Sequence, residues 1–265
     1  MVRAILFDLD DTLVHVPNRQ GASNAAMTWE PITRAQVGLL SDVIGANAAS
    51  NFDLFGFLES FWVELTSRHP EPDPLAPPFD EYQWQLGERL LGQMMKKHLG
   101  LSSEQLVADC WRMLFHVPPA VFGRVCFSDT IATLTTLKER GLTLCVVTNR
   151  ISPSDVVTNE LKALGLEDMF DAVISAGEVG FRKPHSKIFE HALVTLGARN
   201  DEAVMIGDNH LLDVEPAVRM GMVGVLKHNR RQRPAEIDPA IVHIDTLDEV
   251  LHVPGLLSTT TSHDG

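Results

Sequence analysis

Short runs of apolar residues alternate with helix-like segments along most of this 265-residue chain, and this alternation limits the possible folds more than any other feature. The runs are almost wholly apolar, which is typical of strands buried on both faces of a parallel sheet. They are Val2–Phe7, Leu142–Val147, Ala172–Ile174, Ala203–Ile206, Met222–Leu226 and Ile241–Ile244. One intervening segment with helical spacing begins near Ser186. Another is expected to bury Ile131, Leu134 and Leu137. The alternation predicts an α/β fold with a doubly wound parallel sheet.

The segment 16–127 breaks this alternation and predicts an inserted helical domain. It contains no buried-strand run, and its apolar residues follow helical spacing in two stretches: Phe55, Leu58, Trp62 and Leu65, then Phe79, Tyr82, Leu86, Leu90 and Met94. The proline-rich stretch His69–Pro78 predicts an extended loop. We therefore expect a core domain formed by 1–15 and 128–253, the helical domain at 16–127, and a flexible tail at 254–265.

Composition and charge disfavour several classes of protein. Hydrophobic residues make up 45% and charged residues 22% of the chain, which is ordinary for a globular protein. The formal net charge of −13 would repel nucleic acid and anionic lipid, so a phosphate-bearing ligand would need a metal ion and a few local cations. We see neither a membrane-spanning run nor a signal peptide, and the three cysteines lack CxxC spacing. We expect a cytoplasmic protein with reduced thiols and without nucleic-acid or membrane partners.

Acidic residues directly follow the first apolar run, in the order Asp8-Leu9-Asp10-Asp11-Thr12. Doubly wound sheets bind ligands at the carboxyl ends of their strands, where these side chains are expected. Asp8 and Asp10 are two residues apart, so both can face the same ligand. Two carboxylates this close would repel each other, and a divalent cation would relieve that repulsion. Taken alone, the motif could also be a simple turn-forming cluster.

Three further polar segments end later apolar runs or lie in the loops beyond them. Thr148 and Asn149 end the second run and offer a hydroxyl and a backbone N–H as donors to a phosphoryl group. Lys183 lies in a loop before a predicted helix and supplies a flexible positive charge. Asp208 follows another run, and oxygen ligands from Asp8 and Asp208 are those that Mg²⁺ prefers. Each segment alone has a plain structural alternative: a strand-ending turn, a solvated lysine or a helix N-terminus.

Together, the four motifs resemble the haloacid dehalogenase-like (HAD-like) hydrolase superfamily, in its phosphatase branch. The resemblance covers residues 1–15 and about 128–253, and it consists of a DxDxT motif, a threonine, a lysine and a GDxxxxD acid pair: Asp8-Leu9-Asp10-Asp11-Thr12, Thr148, Lys183 and Gly207-Asp208…Asp213. The insert at 16–127 is similar in position to the helical C1-type cap of that family. The resemblance implies a Rossmann-like core, a phosphoric monoester hydrolase and a Mg²⁺ cofactor.

The resemblance also implies a role for each motif residue. Asp8 would attack phosphorus and form an aspartyl-phosphate, and Asp10 would act as general acid and then as general base. The metal ligands would be the carboxylates of Asp8 and Asp208 and the backbone carbonyl of Asp10. The phosphoryl oxygens would be held by Thr148 and Lys183, with Asp213 orienting Lys183 or supporting the metal.

Other residues and activities receive a plainer interpretation. We place Arg150 at the surface rather than at the substrate, since exposed arginines are common. Trp62, Trp84 and Trp111 are expected in the core of the helical domain. A small phosphorylated metabolite (a sugar phosphate, a phosphoglycolate-like acid or a nucleotide) is the expected substrate, because a helical lid leaves a confined pocket.

Two alternatives stay open at this point. One is a phosphomutase with the same motifs, and the other is a non-catalytic binding or regulatory module on this fold. A dehalogenase is disfavoured by the presence of Asp10, since dehalogenases that resemble this family generally lack the second aspartate. The sequence leaves the identity of the substrate and the oligomeric state undetermined.

Overall fold

A computed structural model describes residues 1–15, 29–45, 52–68, 83–229, 240–254 and 256. Its strands in chain order are β1 (Ala4–Phe7), β2 (Val14–His15), β3 (Val125–Cys126), β4 (Thr143–Thr148), β5 (Ala172–Ser175), β6 (Ala203–Gly207), β7 (Val223–Lys227) and β8 (Ile241–Ile244). Six of them form one parallel sheet in the order β5-β4-β1-β6-β7-β8. All the apolar runs identified in the sequence are strands of this sheet, so the α/β prediction is confirmed.

β1 lies inside the sheet, and its register brings the ends of neighbouring strands to one edge. Phe7 is level with Val146 of β4 on one side and with Ile206 of β6 on the other. The backbone N–H of Asp8 continues this pairing, since it donates to the carbonyl of Ile206 at 2.9 Å. Residues that follow β1, β4 and β6 therefore meet at the carboxyl edge of the sheet, where ligands of such folds bind.

Helices cover both faces of the sheet. In chain order the helices are α1 (Glu30–Ile44), α2 (Leu54–Arg68), α3 (Gln83–Leu99), α4 (Glu104–Met113), α5 (Thr130–Glu139), α6 (Ser154–Ala163), α7 (Ala176–Val179), α8 (Ser186–Leu196) and α9 (Glu215–Arg219). Alternate residues of β1 point to opposite faces. Ile5 and Phe7 pack in the apolar cluster that contains residues of α5 and α6, and Ala4 and Leu6 pack in the cluster that contains residues of α8.

One detail of the predicted α5 face is wrong. Leu134 and Leu137 are buried as expected, but Ile131 is 44% exposed, and the threonines at 130 and 133 are buried instead. A spacing of three residues falls short of a full helical turn, so three successive positions drift around the helix. Thr130 also has a specific reason to face inward, because its hydroxyl donates to the backbone carbonyl of Leu13 at 2.9 Å.

Helices α1–α4 have an apolar cluster of their own, in which Trp111 is fully buried and Trp62 and Trp84 are partly buried, as expected. The short antiparallel ribbon of β2 and β3 joins the two ends of the segment that contains these helices, and it was not predicted. Phe79, Tyr82, the proline-rich stretch and most of the predicted tail lie outside the described residues. In the described part of the chain, no helix combines the length and apolar character required to cross a bilayer.

The α8 contact with the sheet yields a test of the fold. Phe189→Ala should lower the free energy of unfolding by ~3–5 kcal/mol, because Phe189 is fully buried and its loss leaves a cavity. The matched control is Val194→Ala on the same helix, where the side chain is 80% exposed and the expected change is within ~0.5 kcal/mol. Urea unfolding followed by circular dichroism measures both, and equal changes in the two variants would contradict the assigned packing.

Candidate active site

Asp8 is the first residue after β1, and its carboxylate is buried at the carboxyl edge of the sheet. Its Oδ1 accepts a hydrogen bond from Lys183 Nζ at 2.6 Å, and its Oδ2 accepts one from the Thr12 hydroxyl at 3.2 Å. The strand end and these two donors fix the orientation of the carboxylate. Each oxygen retains a further lone pair, so Asp8 can still act as a nucleophile or bind a cation.

Lys183 is held between two carboxylates. Its Nζ lies 2.6 Å from Asp8 Oδ1 and 2.6 Å from Asp213 Oδ1, and its side chain is only 2% exposed. The amide of Asn149 holds the backbone of the lysine in place: Lys183 N–H donates to Asn149 Oδ1 at 2.7 Å, and Asn149 Nδ2 donates to Lys183 O at 3.0 Å. The side chain of Asn149 thus positions the backbone of Lys183, a function that the sequence did not indicate.

Asp213 reaches Lys183 because the turn after β6 folds back on itself. Asn209 accepts hydrogen bonds from Leu211 N–H and Leu212 N–H at the start of the π-helical turn His210–Val214, and its own N–H donates to Asp213 Oδ2 at 3.1 Å. Gly207 is required here, since a Cβ at this position would overlap the Asp213 side chain. The predicted contact of Asp213 with Lys183 is present in this geometry.

Asp208 completes a group of three carboxylates. Ligand oxygens of Asp8, Asp208 and Asp213 all lie within 4.8 Å of one another, an arrangement that could hold a metal ion. Hard oxygen donors of this kind suit Mg²⁺. The donor set therefore fits the metal that the motifs imply, although Asp213 also engages the lysine.

The electrostatics of the group favour an additional cation. Burial raises the pKa of Asp8 to about 7; the Lys183 charge opposes this, while Asp213 and Asp208 reinforce it. Burial would lower the pKa of Lys183, but the charges of Asp213 and Asp8 outweigh it and hold that pKa above its ordinary value. The lysine is thus a permanent cation, and its charge favours the ionised form of Asp8 against the effect of burial. A divalent ion among these carboxylates would favour the ionised form of Asp8 further.

Thr148 ends β4, the strand adjacent to β1, and its side chain is buried. The structure therefore brings the residues of all four motifs to the same edge of the sheet. Asp10 lies in the turn after β1. A hydrogen bond from Asp11 N–H to Val14 O at 2.7 Å closes this turn.

Arg150 is not a surface residue, and that prediction was wrong. Its side chain is 13% exposed and holds the Asp10 carboxylate through two donors: Nη2 to Oδ1 at 2.7 Å and Nε to Oδ2 at 3.3 Å. Its third donor, Nη1, bonds to Glu160 of α6, which in turn accepts from Arg124 Nη1 at 3.1 and 3.2 Å. The partners of Arg150 outweigh the effect of burial and raise its pKa. No local sequence signal indicated this network, since Asp10 and Arg150 are 140 residues apart.

The sequence of this chain is similar to those of known phosphatases. Residues 124–226 match a family described as haloacid dehalogenase-like hydrolase. The chain is 36% identical over 225 residues to a glyceraldehyde 3-phosphate phosphatase of Methanocaldococcus jannaschii, a match that covers 85% of this chain and 84% of the relative. It is 36% identical over 229 residues to a ribulose-1,5-bisphosphate 5-phosphatase of Halopiger xanaduensis, with coverage of 85% and 84%.

A solved structure extends the similarity to nearly the whole fold. The HAD phosphatase of Thermococcus onnurineus is 26% identical, covers 96% of this chain and 98% of its own, and superimposes with a TM-score of 0.56. The strand order, the motif residues gathered at one edge and the phosphatase names of these relatives agree with one another. This chain belongs to the haloacid dehalogenase-like hydrolase family, and it is a phosphatase.

Proposed function

We propose that this phosphatase depends on Mg²⁺ and cleaves phosphate monoesters of small metabolites through an aspartyl-phosphate on Asp8. The observation that carries the proposal is the position of the Asp8 carboxylate, which lies beside the Lys183 ammonium and close to two further carboxylates at the ligand-binding edge of the sheet. A nucleophile, a cation for the phosphoryl group and oxygen ligands for a metal are the parts that such a reaction requires.

The charge of the cluster supports the need for a metal. With all three carboxylates ionised, three negative charges against one ammonium leave two net negative charges where a phosphate dianion has to bind. Asp8, Asp208 and the backbone carbonyl of Asp10 would hold the Mg²⁺. The bound ion would supply two positive charges that neutralise the cluster and stabilise the negative charge of the phosphoryl group during transfer.

The protein groups then have complementary tasks. The Asp8 carboxylate attacks phosphorus, the ester P–O bond breaks, and Asp10 donates a proton to the departing oxygen. Water next attacks the aspartyl-phosphate, Asp10 accepts a proton from that water, and inorganic phosphate leaves with Asp8 regenerated. Lys183 and Thr148 bind the phosphoryl oxygens, and Asp213 keeps the lysine in position. Asn149 can add its backbone N–H as a further donor.

We further propose that residues 16–127 form a cap over a core built from 1–15 and 128–253. Two contacts support this division. Ile151, just beyond Arg150, packs against the apolar cluster of the helical segment, and Arg112 of α4 forms an ion pair with Asp155 of α6. A cap in contact with the site would select the group attached to the phosphate. The two relatives with the broad matches described above are named for phosphorylated sugars, which favours that class of substrate over the other small metabolites.

Replacement of the nucleophile is the first test. Asp8→Asn should lower turnover of a panel of sugar phosphates by roughly 10³-fold or more, because the amide cannot form the covalent intermediate. The matched control is Asp201→Asn, which removes a carboxylate that is 68% exposed and should leave turnover unchanged. Phosphate release measures activity and circular dichroism checks folding. Normal turnover in a folded Asp8→Asn protein would exclude Asp8 as the nucleophile.

Metal binding has a test that does not depend on activity. Mg²⁺ at ~100 times its dissociation constant should stabilise the protein by ~2.7 kcal/mol and raise its melting temperature by several degrees. Asp208→Asn should abolish most of this shift, whereas Asp201→Asn should retain it. Differential scanning calorimetry with Mg²⁺ or EDTA measures the effect. A wild-type protein with no magnesium-dependent shift and full turnover in EDTA would contradict the proposed cofactor.

A further inference from the structure

Arg150 contacts both oxygens of the Asp10 carboxylate. The shorter hydrogen bond runs from Nη2 to Oδ1 at 2.7 Å and the longer from Nε to Oδ2 at 3.3 Å. A planar guanidinium that contacts both oxygens fixes the rotation of a carboxylate as well as its position. Lysine, with its single ammonium group, would not provide the second constraint.

Arg150 is itself held from two sides. Its Nη1 bonds to Glu160 of α6, and Arg124, which precedes β3, donates to both oxygens of that glutamate at 3.1 and 3.2 Å. The backbone of Arg150 is anchored too, since Gly177 N–H donates to its carbonyl at 2.9 Å. A Cβ on Gly177 would overlap the carbonyl of Ile151, so the glycine allows this close approach.

While Asp10 is ionised, the ion pairs of this network are balanced, so the two arginines are engaged with carboxylates rather than available to bind phosphate. Arg124 and Arg150 face Asp10 and Glu160, so two cations balance two anions whenever Asp10 is ionised. This differs from the Lys183 cluster, where negative charge is in excess. A balanced and mostly buried set of ion pairs is suited to holding a side chain in place rather than to attracting an anionic ligand.

We propose that Arg150 is a positioning residue that holds the Asp10 carboxylate in the orientation for proton transfer, with Glu160 and Arg124 keeping Arg150 in place. The inference rests on the proposed function, in which Asp10 is the proton donor and acceptor. A displacement of about 1 Å at a reacting group can cost ~10²-fold in rate, so loss of the guanidinium should impair the proton transfer specifically.

The dependence of the rate on the leaving group separates this role from a general structural one. An alkoxide needs a proton from Asp10 as it departs, whereas p-nitrophenolate leaves as a stable anion. Arg150→Met should therefore lower kcat/KM for glycerol 2-phosphate by ~10²-fold, but kcat/KM for p-nitrophenyl phosphate by less than ~5-fold. Arg150→Lys should give a smaller loss with the same selectivity, because it keeps the charge but not the two-point contact.

The second half of the reaction gives an independent readout. Hydrolysis of the aspartyl-phosphate needs Asp10 as a base whichever ester formed it. With p-nitrophenyl phosphate, Arg150→Met should therefore form the intermediate readily and hydrolyse it slowly. Stopped-flow absorbance should show a burst of p-nitrophenol close to the enzyme concentration, followed by slow turnover.

Three further variants make the comparison decisive. Asp10→Asn is the reference and should show the same leaving-group selectivity as Arg150→Met, with a larger loss. Arg199→Met removes an exposed arginine with a similar two-point contact, to Asp201 at 2.9 and 2.9 Å. It should leave kcat/KM unchanged for both esters. Glu160→Gln should show the same selective loss of kcat/KM for glycerol 2-phosphate as Arg150→Met, but a smaller one. If Arg150→Met does not fold, Glu160→Gln and Arg150→Lys replace it in the test.

Each pattern of results has one meaning. Selective loss with the alkyl ester and a burst in the folded Arg150 variants support the inference. Asp10→Asn can be selective while the Arg150 and Glu160 variants lower kcat/KM equally for both esters, or leave it unchanged for both. In that case the positioning role is wrong and the proposed function stands. If Asp10→Asn itself shows no selectivity, the proposed proton-transfer role of Asp10 is wrong, and the positioning role is overturned with it.

Discussion

Lys183 places a buried ammonium group between the carboxylates of Asp8 and Asp213, at 2.6 Å from each, and the geometry of the site depends on this contact. A buried charge is tolerated only when it is paired, and removal of one partner of such a pair costs about 3–5 kcal/mol. The three residues come from widely separated parts of the chain. They meet because the parallel strands bring their carboxyl ends to one edge, so the charge arrangement of the site is a consequence of the sheet.

The contacts that support this ion pair are small and specific. The amide of Asn149 fixes the backbone on both sides of Lys183, and the turn after β6 directs Asp213 toward the lysine. Gly207 has no side chain in the space that Asp213 occupies. Rigid support of this kind holds reacting groups close to a productive geometry, which flexible loops alone do not achieve.

Buried parallel strands and the polar residues that end them leave a local pattern, and for that reason the sheet and the four motifs could be predicted from the sequence. Arg150 could not be placed in this way. Its partner Asp10 is 140 residues away, and the surface assignment rested only on how often arginines are exposed. The prediction that Ile131 is buried was wrong for a related reason. A three-residue spacing does not reveal that the Thr130 hydroxyl donates to a distant carbonyl. Contacts between distant segments leave no periodic trace.

The site separates two electrostatic tasks that would conflict in a single cluster. The group around Lys183 has excess negative charge, which suits a divalent cation and, through it, a phosphate dianion. The network around Arg150 is balanced, so it can hold Asp10 without drawing the phosphate away from Asp8. Asp8 and Asp10 are two residues apart in the sequence, yet one is directed to each group. Under the proposed mechanism, the turn after β1 therefore directs Asp8 to charge stabilisation and Asp10 to proton transfer.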